Sequence, residues 1–325
     1  MHRRTFLRGL VAGSLGGGAS AAAQPAVKTY RVGVILEGGS YYAAIDGFKA
    51  GLKELGFEEG RQYTLLIRDV KGNLGAVAET ARNLEQEKVD LIFAMATSVS
   101  LAVRQGTAKV PVVFSAGGDV IGSGLITSFA KPGGRFTGVY SRNVDLIAKR
   151  LQILKEAVPK VRRILLFYDS DNPNTRESVP RTREAARQLR IDLAEKHVHS
   201  VDDLRAALRE LKASESDAIF LVPDAMVDSE SQIIADTAKV KKLPTMFYER
   251  TAVVWGGLAS YGASLYARGR LAAKYAQRVL LGTSPGELPV ESFDRLELVI
   301  NLNTAKALGL TIPPSLLARA DEVIQ

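Results

Sequence analysis

From Thr29 onward the chain alternates short apolar runs with helical stripes, and it does so twice. TYRVGVILE reads as a buried strand. In AAIDGFKAGLKELGF, Ile45, Phe48, Leu52 and Leu55 share one helix face, and Gly56 ends the helix. QYTLLIRD is a strand, and Leu74, Val77, Ala81 and Leu84 repeat the helical spacing. VDLIFAMA, SVSLAVRQGTA and VPVVFSA then read as strand, helix and strand. Neighbouring parallel strands need a crossover of about a dozen residues, usually a helix, so this order predicts βαβ units and a parallel sheet. After KPGGRFTGVY the pattern restarts with RRILLFYD and runs to PTMFYE. The halves also echo each other. Asp90-Leu91-Ile92-Phe93 matches Asp217-Ala218-Ile219-Phe220, and Lys109–Phe114 matches Lys242–Phe247. The chain is therefore expected to be a two-lobed α/β protein, each lobe a parallel sheet flanked by helices.

KPGGRFTGVY lies at the junction. A phosphate cradle needs a helix directly after its glycines, whereas Phe-Thr-Gly-Val-Tyr is strand-like. Gly133 and Gly134 are therefore expected to form a hinge. The last 75 residues place a helix in RGRLAAKYAQRVLLG, a strand in LELVINL and helix in SLLARADEVI. A tail of this length predicts a return to the first lobe and a final crossing, giving three hinge crossovers. The expected division is residues 28–140 with 252–285 in one lobe and 141–251 with 286–325 in the other.

Residues 1–23 have a basic start, a Gly/Ala-rich middle and a small-residue end, the order of a cleaved signal peptide. Arg3-Arg4-Thr5-Phe6-Leu7-Arg8 resembles the twin-arginine export motif. The expected product is periplasmic and soluble. Without cysteine in the chain, no lipid anchor, disulfide or thiol chemistry is expected. Loss of Arg3, Arg4 and Arg8 takes the formal charge from +8 to +5. The other cations are mixed with acids along helices, which argues against a nucleic-acid surface.

Enzyme signatures are sparse. His197 and His199 would share a strand face, but no third metal ligand is evident, so no metal is expected. Gly122-Ser123-Gly124 lacks the third glycine of a dinucleotide fingerprint, position 127 being Thr. No nucleophile elbow occurs. The pair Asp169/Asp171 reads as the cap of the helix after Asn174. No cofactor and no catalysis are expected.

What remains is a set of polar loops at the carboxyl ends of the strands, where open α/β sheets bind ligands. They contribute Ser40, Tyr41, Tyr42, Thr97, Ser98, Ser115 and Asp119 from the first lobe. The second gives Asn172, Asn174, Asp224 and Tyr248, joined by Tyr261 in WGGLASYG. Hydroxyls and helix N-terminal amides suit a carboxylate, a carboxylate such as Asp224 or Asp119 suits an ammonium, and the tyrosines could stack on a flat ligand. Ser40, Thr97 and Asp228 read equally well as helix N-caps.

Several stretches resemble the substrate-binding proteins of ABC transporters, in the branch that includes tryptophan-type binders. They are Asp46-Gly47-Phe48 with Gly51–Phe57, GLITSFAKPGGRFTGV (124–139), WGGLASYG (255–262), LLGTSPGELPVE (280–291) and ELVINLNTAKALGLTIPPSLLARADEVI (297–324). The resemblance implies the type I periplasmic-binding fold, with a small-molecule ligand in the cleft and an ABC permease of the inner membrane as partner. Arg135 stands where the family commonly has Asn, and is expected to touch the hinge. The expected function is that of a monomeric periplasmic receptor for an amino acid or an aromatic or aliphatic carboxylate. A sensor subunit of the same fold and an exported enzyme are the alternatives.

Overall fold

The structure is a computed structural model and describes residues 28–325; the signal-peptide reading falls outside them. The first run comprises β1 (Tyr30–Leu36), α1 (Tyr42–Glu54), β2 (Tyr63–Asp69), α2 (Val77–Gln86), β3 (Leu91–Met95), α3 (Thr97–Gly106), β4 (Val112–Ala116) and β5 (Phe136–Tyr140). The second comprises α4 (Ile147–Ala157), β6 (Arg163–Tyr168), α5 (Pro173–Gln188), β7 (Asp192–His197), α6 (Val201–Glu210), β8 (Ala218–Phe220), α7 (Ala225–Ser229), α8 (Ser231–Val240), β9 (Thr245–Phe247), α9 (Arg250–Val254) and β10 (Ala259–Ala263). The tail adds α10 (Leu265–Leu280), β11 (Glu291–Ser292), β12 (Leu296–Asn301), α11 (Leu302–Ala307), α12 (Pro314–Leu317) and β13 (Glu322–Ile324).

The strands form two sheets, in the orders β11-β5-β4-β3-β1-β2 and β13-β12-β10-β9-β8-β6-β7. The echoed segments occupy matching places. Asp90 accepts the Arg31 amide at 2.8 Å and Asp217 the Arg163 amide at 2.9 Å, each tying a third-position strand to the first. Ile92 N donates to Pro111 O and Ile219 N to Pro244 O, both at 2.9 Å.

Sheet membership moves the sequence boundaries. β5 belongs to the first sheet, so the chain leaves that lobe after Tyr140. Gly133 and Gly134, with φ of 73° and 65°, lie at the opposite end of β5 and are not at the crossing. Arg135 is also remote from it, donating to the carbonyls of Val110, Arg104 and Thr107. β10 pairs with β9 in the second sheet, although 252–285 was expected in the first lobe, and the return crossing is near Ser264. β11 pairs with β5 in the first sheet, although 286–325 was expected in the second lobe, so the last crossing lies between Ser292 and Leu296. The second sheet is also not wholly parallel, because β10 and β12 pair antiparallel. The cause is topological: β10 ends at the crossings, whereas β12 begins there and must run away from them. The C-terminal SLLARADEVI is helical only to Leu317 and ends in β13.

α10 returns to the first lobe and packs on α1, with Leu265, Ala272, Ala273 and Tyr275 in the core that also holds Phe48 and Phe93. The closeness depends on small residues. A Cβ on Gly47 would overlap the Tyr266 carbonyl, and one on Gly269 the Ala44 carbonyl.

Candidate functional site

Both sheets direct their strand ends at each other, and the lobes are in contact there. Beyond β1, Gly39 has φ of 56°, and a Cβ on it would overlap the Asp228 carbonyl and the Ser229 backbone of the other lobe. Tyr41 donates across the interface to Asp228 at 3.4 Å, and Asn174 lies against Gly118. Grooves of about 530 and 610 Å³ open at the two rims, the first lined by Glu37, Asn172 and His199, the second by Asp119, Asn174 and Arg176.

The first lobe buries Ser40, Tyr41, Thr97, Ser98 and Ser115 at this interface. Ala96, with φ of 81° and ψ of 155°, turns β3 into α3 through a backbone region that ordinarily takes glycine. The turn leaves Thr97 Oγ1 accepting from Gly117 N and Ser98 Oγ donating to Glu37, each at 3.4 Å. Tyr42 is 43% exposed and donates to Asp69 at 3.0 Å, so it stands at the rim. Asp119 also stands there, its Oδ1 accepting from the Ile121 and Gly122 amides.

In the second lobe, Asn172 caps α5 by accepting from Asn174 N at 3.0 Å, the role expected of Asp169/Asp171. Asp224 is a loop organiser rather than a free acid. Its oxygens accept from Asp169 N at 2.7 Å, Asn172 Nδ2 at 3.1 Å, Met226 N at 3.2 Å and Val227 N at 3.4 Å. Burial, opposed by those bonds and aided by the Asp169 charge, pushes it up to about 6. Asp228 is not an N-cap. It is buried against Tyr41, and burial, then the Asp224 and Glu249 charges, raise it well above the usual range. Tyr248 is buried, its hydroxyl without a partner among the described residues. Tyr261 packs against the second core, half-buried. His197 and His199 do not converge. His197 meets the Tyr168 hydroxyl at 2.8 Å, and His199 stands 3.9 Å from Asp169. Asp169, Asp171 and His199 bring ligand atoms within 4.8 Å of one another, the latter two exposed.

Several buried charged residues were missed by the sequence reading, Glu37, Arg150 and Arg268 among them. Glu37, at the end of β1, is pushed up to about 8 by burial and by the Asp224 charge, and its Oε2 has no partner among the described residues. Arg150 and Arg268 are buried on α4 and α10. Arg268 donates to the Ala116 carbonyl at 2.8 Å and to Ser141 Oγ at 3.1 Å, tying the end of β4 to the first crossing. Both arginines occupy apolar-stripe positions, Ile147-Arg150-Leu151-Leu154 and Leu265-Arg268-Ala272, and an arginine at such a position was the available signal. The buried set that spans the interface also includes unpartnered oxygens of Ser40, Ser115, Asn143 and Ser260. Buried polar atoms are almost always hydrogen-bonded, so this concentration, fed by both lobes, marks where a polar molecule would be held.

Residues 30–324 match the family described as ABC transporter substrate binding protein. The chain belongs to this family. Among curated proteins, it is 26% identical over 283 residues to a tyrosine-binding protein of Clostridioides difficile (strain R20291), covering 87% of this chain and 81% of that one. A conserved domain protein from Vibrio cholerae O1 biovar El Tor superposes with a TM-score of 0.81 at 29% identity, over 91% of this chain and 99% of that one. The ABC domain of Streptococcus pneumonia in complex with L-Trp superposes with a TM-score of 0.80 at 27% identity, over 91% and 100%. The two-lobed type I periplasmic-binding fold is thus the fold of this substrate-binding protein. Among the described residues no helix is long and apolar enough to cross a membrane.

Proposed function

We propose that this chain is the exported receptor of an ABC importer, closing its lobes on an amino acid or a related aromatic or aliphatic carboxylate and presenting it to a permease of the inner membrane. The observation that carries the reading is the inter-lobe set of buried polar groups without partners, supplied by both lobes. A molecule that satisfies both halves binds the closed form better than the open one and shifts the population toward it. The complex of a relative with L-Trp, and the tyrosine-binding relative, support an amino acid as the class.

The test is thermal unfolding of the purified protein, refolded to strip carried-over ligand, against L-amino acids, aromatic acids, sugars and polyamines. A ligand at about 100 times its Kd stabilises by ~2.7 kcal/mol, which for this size raises Tm by several degrees. A rise with an amino acid or carboxylate and no turnover is expected. A rise with sugars or polyamines alone, or a panel without any response, overturns the reading.

A further inference from the structure

Arg150 is the largest side chain to be fully buried. Its neighbours along the α4 stripe, Ile147, Leu151 and Leu154, belong to the second apolar core, and that packing has no need of a cation. Its Nε, Nη1 and Nη2 have no hydrogen-bond partner among the described residues. The guanidinium carbon lies 6.0 Å from the Phe220 ring centroid and 5.8 Å from that of Tyr248. Phe220 and Tyr248 stand at the ends of β8 and β9 that face the first lobe, so the side chain runs from the helix to the floor of the interface. Asp228 attracts the charge but accepts no hydrogen bond from it. Leaving a buried charge unpaired is among the costliest arrangements in a protein. A guanidinium with five donors in a planar fork matches a carboxylate or a phosphate taken bidentately.

We propose that Arg150 anchors the carboxylate of the molecule held between the lobes, and that this molecule is a zwitterion. The inference rests on the reading of the interface as the ligand site. The unpartnered hydroxyls of Tyr248 and Ser260 are further donors in the same buried set. Asp228, of the same lobe as Arg150, and Glu37, across the interface, present carboxyls to this buried set, Glu37 with a free Oε2. Each can give up its proton to accept from an ammonium, and neither supplies a cation for a second negative charge, so a dianion such as a phosphate ester is disfavoured where a single carboxylate with a nearby amine is not.

Four probes separate the parts: L-tryptophan and L-tyrosine against tryptamine and tyramine, which keep ring and amine but lack the carboxylate. Calorimetric titration is run on the wild type and on Arg150→Gln. The wild type is expected to bind at least one of the amino acids and to favour it over its amine by about 100-fold. Arg150→Gln is expected to lose about 100-fold for the amino acid and to bind acid and amine alike. Arg150→Met, without any probe, is expected to raise Tm, because an apolar side chain of similar length replaces an unpaired charge. If the wild type binds L-tryptophan or L-tyrosine and Arg150→Gln still separates acid from amine, the anchor is overturned while the receptor reading stands. If Arg150→Met lowers Tm, the guanidinium serves the fold and the anchor is again overturned. A wild type that binds none of these probes and no other L-amino acid overturns the zwitterion, while a Tm rise with a simple carboxylate leaves the receptor reading standing.

Discussion

Glu37 shows how one side chain couples acidity to closure. Burial and the Asp224 charge from the other lobe hold it up at about 8, against an ordinary value of 4.5 and despite the Ser98 bond; Asp169 adds to the rise. Between those two values the folded protein keeps a proton that the unfolded chain has released, so stability falls as pH rises through that window. Asp224, held up to about 6, acts with the same sign at its lower end. Glu37→Gln removes the larger contribution, and its Tm is expected to vary less steeply with pH across 4.5–8 than that of the wild type. Parallel Tm curves would refute this. At this scale the sequence was legible as to place: Ser40, Tyr41, Thr97, Ser98, Ser115, Asn172, Asn174 and Tyr248, read as loop residues at strand ends, are all buried there. It was misleading for Asp224, because a carboxylate at a strand end cannot announce that four local donors already occupy it. Arg150 and Arg268 were overlooked because a helical arginine is ordinarily solvated; their places in apolar stripes were the signal, and packing shows that both are buried.

Among elements, the contact between α1 and α10 fixes the returning segment on the first lobe. Gly269 sits where any Cβ meets the Ala44 carbonyl. In an exposed helix, Gly→Ala stabilises by about 1 kcal/mol. Here overlap outweighs propensity, and Gly269→Ala is expected to lose about 1–2 kcal/mol, read as a lower denaturant midpoint at unchanged slope. A gain in stability would show that the helices have slack. Strand and helix identities were largely readable, since each follows from local periodicity. The crossings were not. β11 has two residues, and its membership of the first sheet is decided by β5, about 150 residues earlier in the chain. The antiparallel β12 is likewise set by where the chain enters the lobe, which no local pattern records.

For the whole molecule, Gly39 governs how far the lobes approach. Gly39→Val would bring a side chain into the Asp228 carbonyl at a positive φ that valine resists. With closure blocked, ligand affinity is expected to fall by about tenfold or more. Small-angle scattering should then show no compaction on adding a ligand that compacts the wild type. Wild-type affinity in Gly39→Val would mean the lobes do not meet at this point when occupied. Because main chain meets main chain there, the closing stroke ends at a fixed stop rather than against a yielding side chain. On the proposed reading, every occupied molecule would therefore present the same outer face to its partner whatever the ligand, and a ligand too large for the gap would be read as no ligand at all.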